Sequence, residues 1–202
     1  MLRAATQLRR GVAAVVAFMA WAAGWNYVAC ALFITGDIIG RNLFGVSSAA
    51  TVEITGYMLA CGIAWALPHT LACRAHIRVD VLVTRLPAKL RAPLHLFSLA
   101  LLIAFAVFTA WVAWELVNES ALFDAHDNSA LRIPMVIPQG IWAVGITAFL
   151  VMALVLMLEG VLALLLGQAE QLDRLLGSRT IDDEAEEALE AVAMAREGGS
   201  PA

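Results

Sequence analysis

Four long apolar stretches separated by shorter polar ones dominate the chain: residues 11–35, 53–73, 93–117 and 134–166. A helix rises 1.5 Å per residue, so a hydrocarbon core of ~30 Å takes about 20 residues. Each stretch is long enough to cross. The first follows a basic tail, residues 1–10, that carries Arg3, Arg9 and Arg10 and no acid. A secretory signal would have a shorter apolar core, about 7–15 residues, so a retained span is predicted here. Tyr27 also suits a lipoprotein cleavage box ending at Cys30 poorly. The fourth stretch is longer than one perpendicular crossing needs. Pro134 and Pro138 fit its first turns, where missing amide donors matter least. A core starting near Pro138 brings Glu159 to the opposite interface.

The polar segments are unequal. Residues 74–91 hold Arg74, Arg78, Arg85, Lys89 and Arg91, with His69 and His76 close by. Ile77, Val79, Val81 and Val83 alternate like a strand, whereas Val79, Leu82, Leu86 and Leu90 make a helical stripe. An unpaired strand in lipid leaves its backbone unsatisfied. A surface-lying helix broken at Pro87, with Arg78, Arg85 and Lys89 on its wet side, is the better reading. From residue 168 the chain becomes hydrophilic and, at 182–187, acidic. Leu172, Leu175 and Leu176 predict one short amphipathic helix there, and the extreme end should be disordered.

Eleven of the thirteen Lys and Arg residues lie in the amino tail, in 74–91 and in the carboxyl tail; Arg41 and Arg132 are the other two. Basic loops stay cytoplasmic. The predicted fold is therefore an all-α integral membrane protein with four transmembrane helices and both termini cytoplasmic (N-in/C-in). A short cytoplasmic amphipathic segment joins helices 2 and 3. The parts are a basic tail (1–10), a membrane domain (11–167) and an acidic tail (168–202). Composition agrees: 61% of residues are hydrophobic and 15% charged, with a mean hydropathy of +0.80. Soluble domains run at about 45–50% and about 25%.

Little in this pattern points to catalysis, nucleic acid, a cofactor or a metal. Cys30, Cys61 and Cys73 lie in or at the end of apolar runs, so neither a disulfide framework nor a zinc site is predicted. Haem ligation needs histidines that bracket an iron within the helices, and His69 and His95 sit at span ends. Charge deep in a span would mark a transport path. Glu115 and Glu159 can each be placed near an interface, and the span centres are almost free of charge. Asp37 and Arg41, four apart with the acid first, suit a helical ion pair just past the first span. Glu53 opens the second span, where pairing with Arg41 is also conceivable.

These residues together resemble a known family. Arg41, then Phe44 and Gly45, then Glu53 are similar to the small membrane subunit of tripartite ATP-independent periplasmic (TRAP) transporters, DctQ-like. Arg74, His76, Arg78 and Asp80, followed by Leu86 and Pro87, resemble that family's most recognisable stretch. Residues 129–135, with Arg132 and Pro134, resemble its entry into the fourth span. The likeness covers about 12–166 and leaves the acidic tail unmatched; one acid, Glu53, stands where the family often has two. It implies a multi-pass protein of a bacterial inner membrane that works with three partners: a large permease subunit, a periplasmic solute-binding protein and the lipid bilayer. In that setting the small subunit braces the scaffold while the large one carries out ion-coupled uptake of an organic acid. Asp37, Arg41, Glu53, Arg74, His76, Asp80 and Pro134 would then be interface or structural residues. Two other classes are open on sequence: a haem- or quinone-associated membrane anchor, which a Soret band would reveal, and a self-contained four-span channel or carrier.

Overall fold

A computed structural model describes residues 2–46, 48, 50–74, 88–128 and 131–167, and singly residues 172, 175, 189 and 192. It contains four α-helices: α1 (Leu2–Phe44), α2 (Thr51–Ala72), α3 (Ala88–Leu122) and α4 (Val136–Leu165). The first is 43 residues long, about 64 Å at the usual rise. It starts nine residues before the apolar stretch and runs nine beyond it. No proline interrupts it, and charged residues at its two ends continue the helix rather than break it. Gly45 stops it, at φ +67°, a left-handed conformation that glycine adopts without a Cβ clash. Gly167 stands just past the end of α4 in the same way, at φ +70°.

Length and composition mark α1, α3 (from Pro93) and α4 as able to cross a membrane. The 22-residue α2 is not among them. It is long enough, but Glu53, Pro68, His69 and its threonines dilute its apolar character.

The helix at the centre is α4, which packs against all three others; α1 also packs on α2, and among the described residues the helix-to-helix packing of α3 is on α4. Contacts along the helices show their directions. Arg9 near the start of α1 meets Glu159 near the end of α4, and Asn26 of α1 meets Met58 of α2. Tyr57, Cys61 and Trp65 meet Met135, Pro138 and Ile141 in the same order, so α2 and α4 are parallel. The bundle therefore alternates up and down. One end gathers the start of α1, the end of α4 and the flanks of the 75–87 connection; the other holds the two remaining loops.

Small residues bring α2 and α4 together. Ala64 and Gly145 are buried, and a Cβ added at Gly145 would stand 2.7 Å from the Ala64 carbonyl carbon. Pro68 has no amide to donate to Ala64 four residues earlier, so that carbonyl is released and lies against Gly145. Around this contact lie Ala110, Ile146, Trp65 and Trp142. Towards the Glu159 end the core is Val16, Leu71, Leu99, Phe149, Met152 and Leu156. Leu172 joins it fully buried, with Leu175 packed alongside. Two of the three leucines expected to form a tail helix, Leu172 and Leu175, thus contact the bundle; Leu176 lies outside the described residues. Of the amphipathic segment predicted between helices 2 and 3, residues 75–87 lie outside the described residues, and Lys89, past the expected break at Pro87, falls in the first turn of α3.

Candidate functional site

Polar contacts occur at three levels along the bundle, and each level has a different character. At the end that gathers the start of α1 and the end of α4, Arg9 Nε lies 2.7 Å from Glu159 Oε2, and Thr6 Oγ1 donates to Glu159 Oε1 at 3.0 Å. Both carboxylate oxygens are therefore engaged. Glu159 is only 3% exposed, whereas the Arg9 side chain is 28% exposed and reaches towards water. The sequence placed Glu159 near an interface but found it no partner. Three basic residues at the start of α1 were the available signal, since antiparallel helices put that start beside the end of α4.

On the same end of the bundle, His69 Nε2 lies 3.4 Å from Cys73 Sγ, one turn on. Arg74 then leaves α2 at φ +57°, a conformation costly for a residue with a side chain. The strain falls at the first residue of the family-like stretch. His76 and Asp80, the other site residues predicted there, lie outside the described residues. On α3, His95 is buried, 5% exposed.

At the opposite end Arg41 Nη2 stands 3.8 Å from Asp37 Oδ2, the helical pair expected from their spacing. Asp37 has a second role, because its Oδ1 accepts a hydrogen bond from the Ser48 amide at 2.7 Å. One carboxylate thus ties the α1–α2 loop back onto α1. Glu53 occupies the first turn of α2, where a negative charge suits the helix dipole. No ion pair joins it to Arg41 among the described residues, and its Oε2 has no hydrogen-bond partner. Pro134 pairs with His126 in an isolated antiparallel bridge, and Met135 donates to Ala125 O at 2.9 Å just before α4 starts. Arg132 turns at φ +45° to allow it.

Between these ends the polar groups face inwards onto backbone or one another. Asn26 Nδ2 donates to Met58 O at 2.7 Å, Trp65 Nε1 to Ile141 O at 2.8 Å, and Trp114 Nε1 to Thr147 Oγ1 at 2.9 Å. Thr109 bonds its own helix at Phe105 O. Such contacts hold helices together; they leave little to coordinate a solute. Among the described residues no group of three or more His, Cys, Asp or Glu could hold a metal ion. A groove of about 680 Å³ runs along α1 and α4 beside Trp114 of α3, lined by apolar residues such as Val12, Val15, Met19 and Val151.

A helical bundle with polar ends and a satisfied middle fits several membrane proteins. What decides among them is a match over residues 30–163 to the family model described as "Tripartite ATP-independent periplasmic transporters, DctQ component". That is more than half of the chain. The chain belongs to the DctQ family. No curated protein and no solved structure was found to match it. As a DctQ component it is a small membrane subunit of a transporter, and the family is not one of enzymes. The matched region takes in α2, α3, nearly all of α4 and the last part of α1. It includes Asp37, Arg41, Glu53, Arg74, His76, Asp80, Pro134 and Glu159, while Arg9 lies before it.

Proposed function

We propose that this DctQ chain braces the scaffold of the large permease subunit in a bacterial inner membrane. It crosses four times with both termini and residues 74–91 on the cytoplasmic side. The large subunit performs ion-coupled uptake of an organic acid delivered by a periplasmic binding protein. The observation that carries this reading is the position of the charged contacts. Arg9–Glu159 and Asp37–Arg41 lie at opposite ends, and the polar side chains between them bond neighbouring helices. A carrier of organic anions presents converging polar groups near the bilayer midplane. A brace needs only a stable bundle and surfaces for its partner.

The strained exit at Arg74 and the nearby Asp80 are proposed to anchor the cytoplasmic ends of α2 and α3 and a helix of the partner. Replacing both with Ala should lower recovery of the large subunit while the chain still inserts. Reconstitution tests the role directly. Liposomes with both membrane subunits should take up the organic acid when the binding protein supplies it, and liposomes lacking this chain should not. Ion-driven uptake by this chain alone would refute the proposal.

A further inference from the structure

The core reaches past the last helix. Just beyond α4, Gly167 takes its left-handed turn, and five residues later Leu172 is inside the bundle, 0% exposed. It stands with Leu71 and Met152 among the most completely enclosed large side chains. Leu175, nearly one helical turn on, is partly buried against the same cluster, and both residues are helical. This cluster lies at the Glu159 end and draws buried residues from all four helices: Val16 from α1, Leu71 from α2, Leu99 from α3 and Ala163 from α4.

The packing of α3 gives that position its importance. Among the described residues the helix-to-helix packing of α3 is on α4. Away from the Glu159 end the attachment is close, since Ala113 and Val117 pack with Ala143, and Trp114 donates to Thr147 at 2.9 Å. Nearer the Glu159 end, the buried α3 residues Leu99 and Ala106 belong to the cluster that holds Leu172. There α3 meets α1 and α2 through side chains that fill the space between the helices. Leu172 is one that none of the four helices supplies.

Helices in lipid gain no hydrophobic drive to associate, because acyl chains are as apolar as leucine. Leu172 stands beyond the last apolar stretch, which ends at residue 166, and between Gln171 and Asp173. A leucine in that setting comes to the core from water, so the hydrophobic effect drives its burial. We infer that Leu172, supported by Leu175, is a latch that closes the Glu159 end of the bundle. It holds the near half of α3 against α1 and α2, and without it that half swings on the contact with α4. The end of α2 and the start of α3, which flank the basic connection, are thereby kept at a fixed spacing. Whatever withdraws the tail from the bundle loosens the connection as well. The latch belongs to the chain alone and does not depend on the role proposed above.

The test is hydrogen exchange of the purified full chain in detergent, read by mass spectrometry on peptides from the two halves of α3. Leu172→Ala should speed exchange across residues 94–102 by at least about tenfold, because the lost side chain leaves a cavity and the segment opens locally. Residues 110–118, held by Ala113, Trp114 and Val117, should change by less than about twofold. Leu172→Val should give the same pattern in smaller measure, and Leu172→Met, which conserves volume, should restore slow exchange. Leu189, 70% exposed further along the tail, is the comparison position, and Leu189→Ala should leave both halves unchanged. A rise spread evenly over α3 would make Leu172 one core residue among others, and no rise would leave it nothing to hold. Either result would overturn the latch.

Discussion

Arg9 and Glu159 are 150 residues apart in sequence and 2.7 Å apart in space, and their contact fastens the start of α1 to the end of α4. The pair is lopsided. Glu159 is enclosed, with Thr6 on its second oxygen, while Arg9 can extend its charge into water. Removing one partner therefore has different consequences depending on which is removed.

Arg9→Met should be the costly change, about 2–4 kcal/mol, because it leaves an enclosed carboxylate without its counter-charge. Glu159→Met should cost about 1 kcal/mol, since Arg9 can turn outwards. The double Met variant should recover part of the loss, as apolar replacements of buried pairs often do. Thermal unfolding of the purified chain in detergent measures all three. Equal losses for the two single variants would show that burial does not govern this pair.

At the other end the partner of Arg41 is Asp37, not Glu53, and a double-mutant cycle should report that choice. Coupling between positions 37 and 41 should be small but measurable, up to about 0.5 kcal/mol, because the Arg41 side chain is 60% exposed. Coupling between 41 and 53 should be nil. Asp37→Ala should cost more than Arg41→Ala, about 1–2 kcal/mol, because it also frees the Ser48 amide. Strong coupling of Arg41 to Glu53 would contradict the structure.

The helical plan was readable because long apolar stretches in a chain of this composition have few alternatives to membrane helices. Asp37 and Arg41 were readable for a similar reason, since their contact is set by helix geometry within one turn. The bounds of α1 were not, because hydropathy reports where lipid would be favourable and a helix continues until something stops it, here Gly45. The Arg9–Glu159 pair depends on which helices are neighbours, and α4 became central only through packing. Gly145 escaped notice for the same reason. Gly62 is a similar case, because it faces Tyr27 and Asn26 across the α1–α2 contact, a pairing that no spacing within α2 announces.

Those glycines give a ranking. A Cβ at Gly145 would meet Ala64 backbone at 2.7 and 2.8 Å, and backbone cannot swing aside. Gly145→Ala should therefore cost about 1–3 kcal/mol by forcing α2 from α4. At Gly62 the nearest atoms are the Tyr27 ring at 2.8 Å and the Asn26 amide at 2.9 Å, side chains that can shift. The loss there should be smaller. Gly56 has nothing within 4 Å, so Gly56→Ala should be neutral or stabilising by up to about 1 kcal/mol through helix propensity. Unfolding midpoints of the isolated chain should fall in that order, and a destabilising Gly56→Ala would break it.

Sidedness is the last consequence, and it joins the bundle's alternation to its charge. The start of α1, the end of α4 and the flanks of the 75–87 connection share one end, and eleven of the thirteen Lys and Arg residues fall in residues 1–10, 74–91 and 168–202, the sequence segments in or next to them. Retention of basic segments in the cytoplasm should therefore orient the whole bundle at once. In a background with Cys30, Cys61 and Cys73 replaced, single cysteines at Arg3, Arg85 and Asn128 report both ends. Asn128 is exposed in the loop before α4, and Arg3 is exposed at the start of α1. A membrane-impermeant thiol reagent added to intact spheroplasts should label position 128 and leave 3 and 85 unlabelled until the membrane is opened. Labelling of 85 from outside with 128 protected would invert the orientation. Labelling of 3 and 85 from opposite sides would be worse for the structure, because an up-and-down bundle with an odd number of crossings cannot hold Arg9 against Glu159.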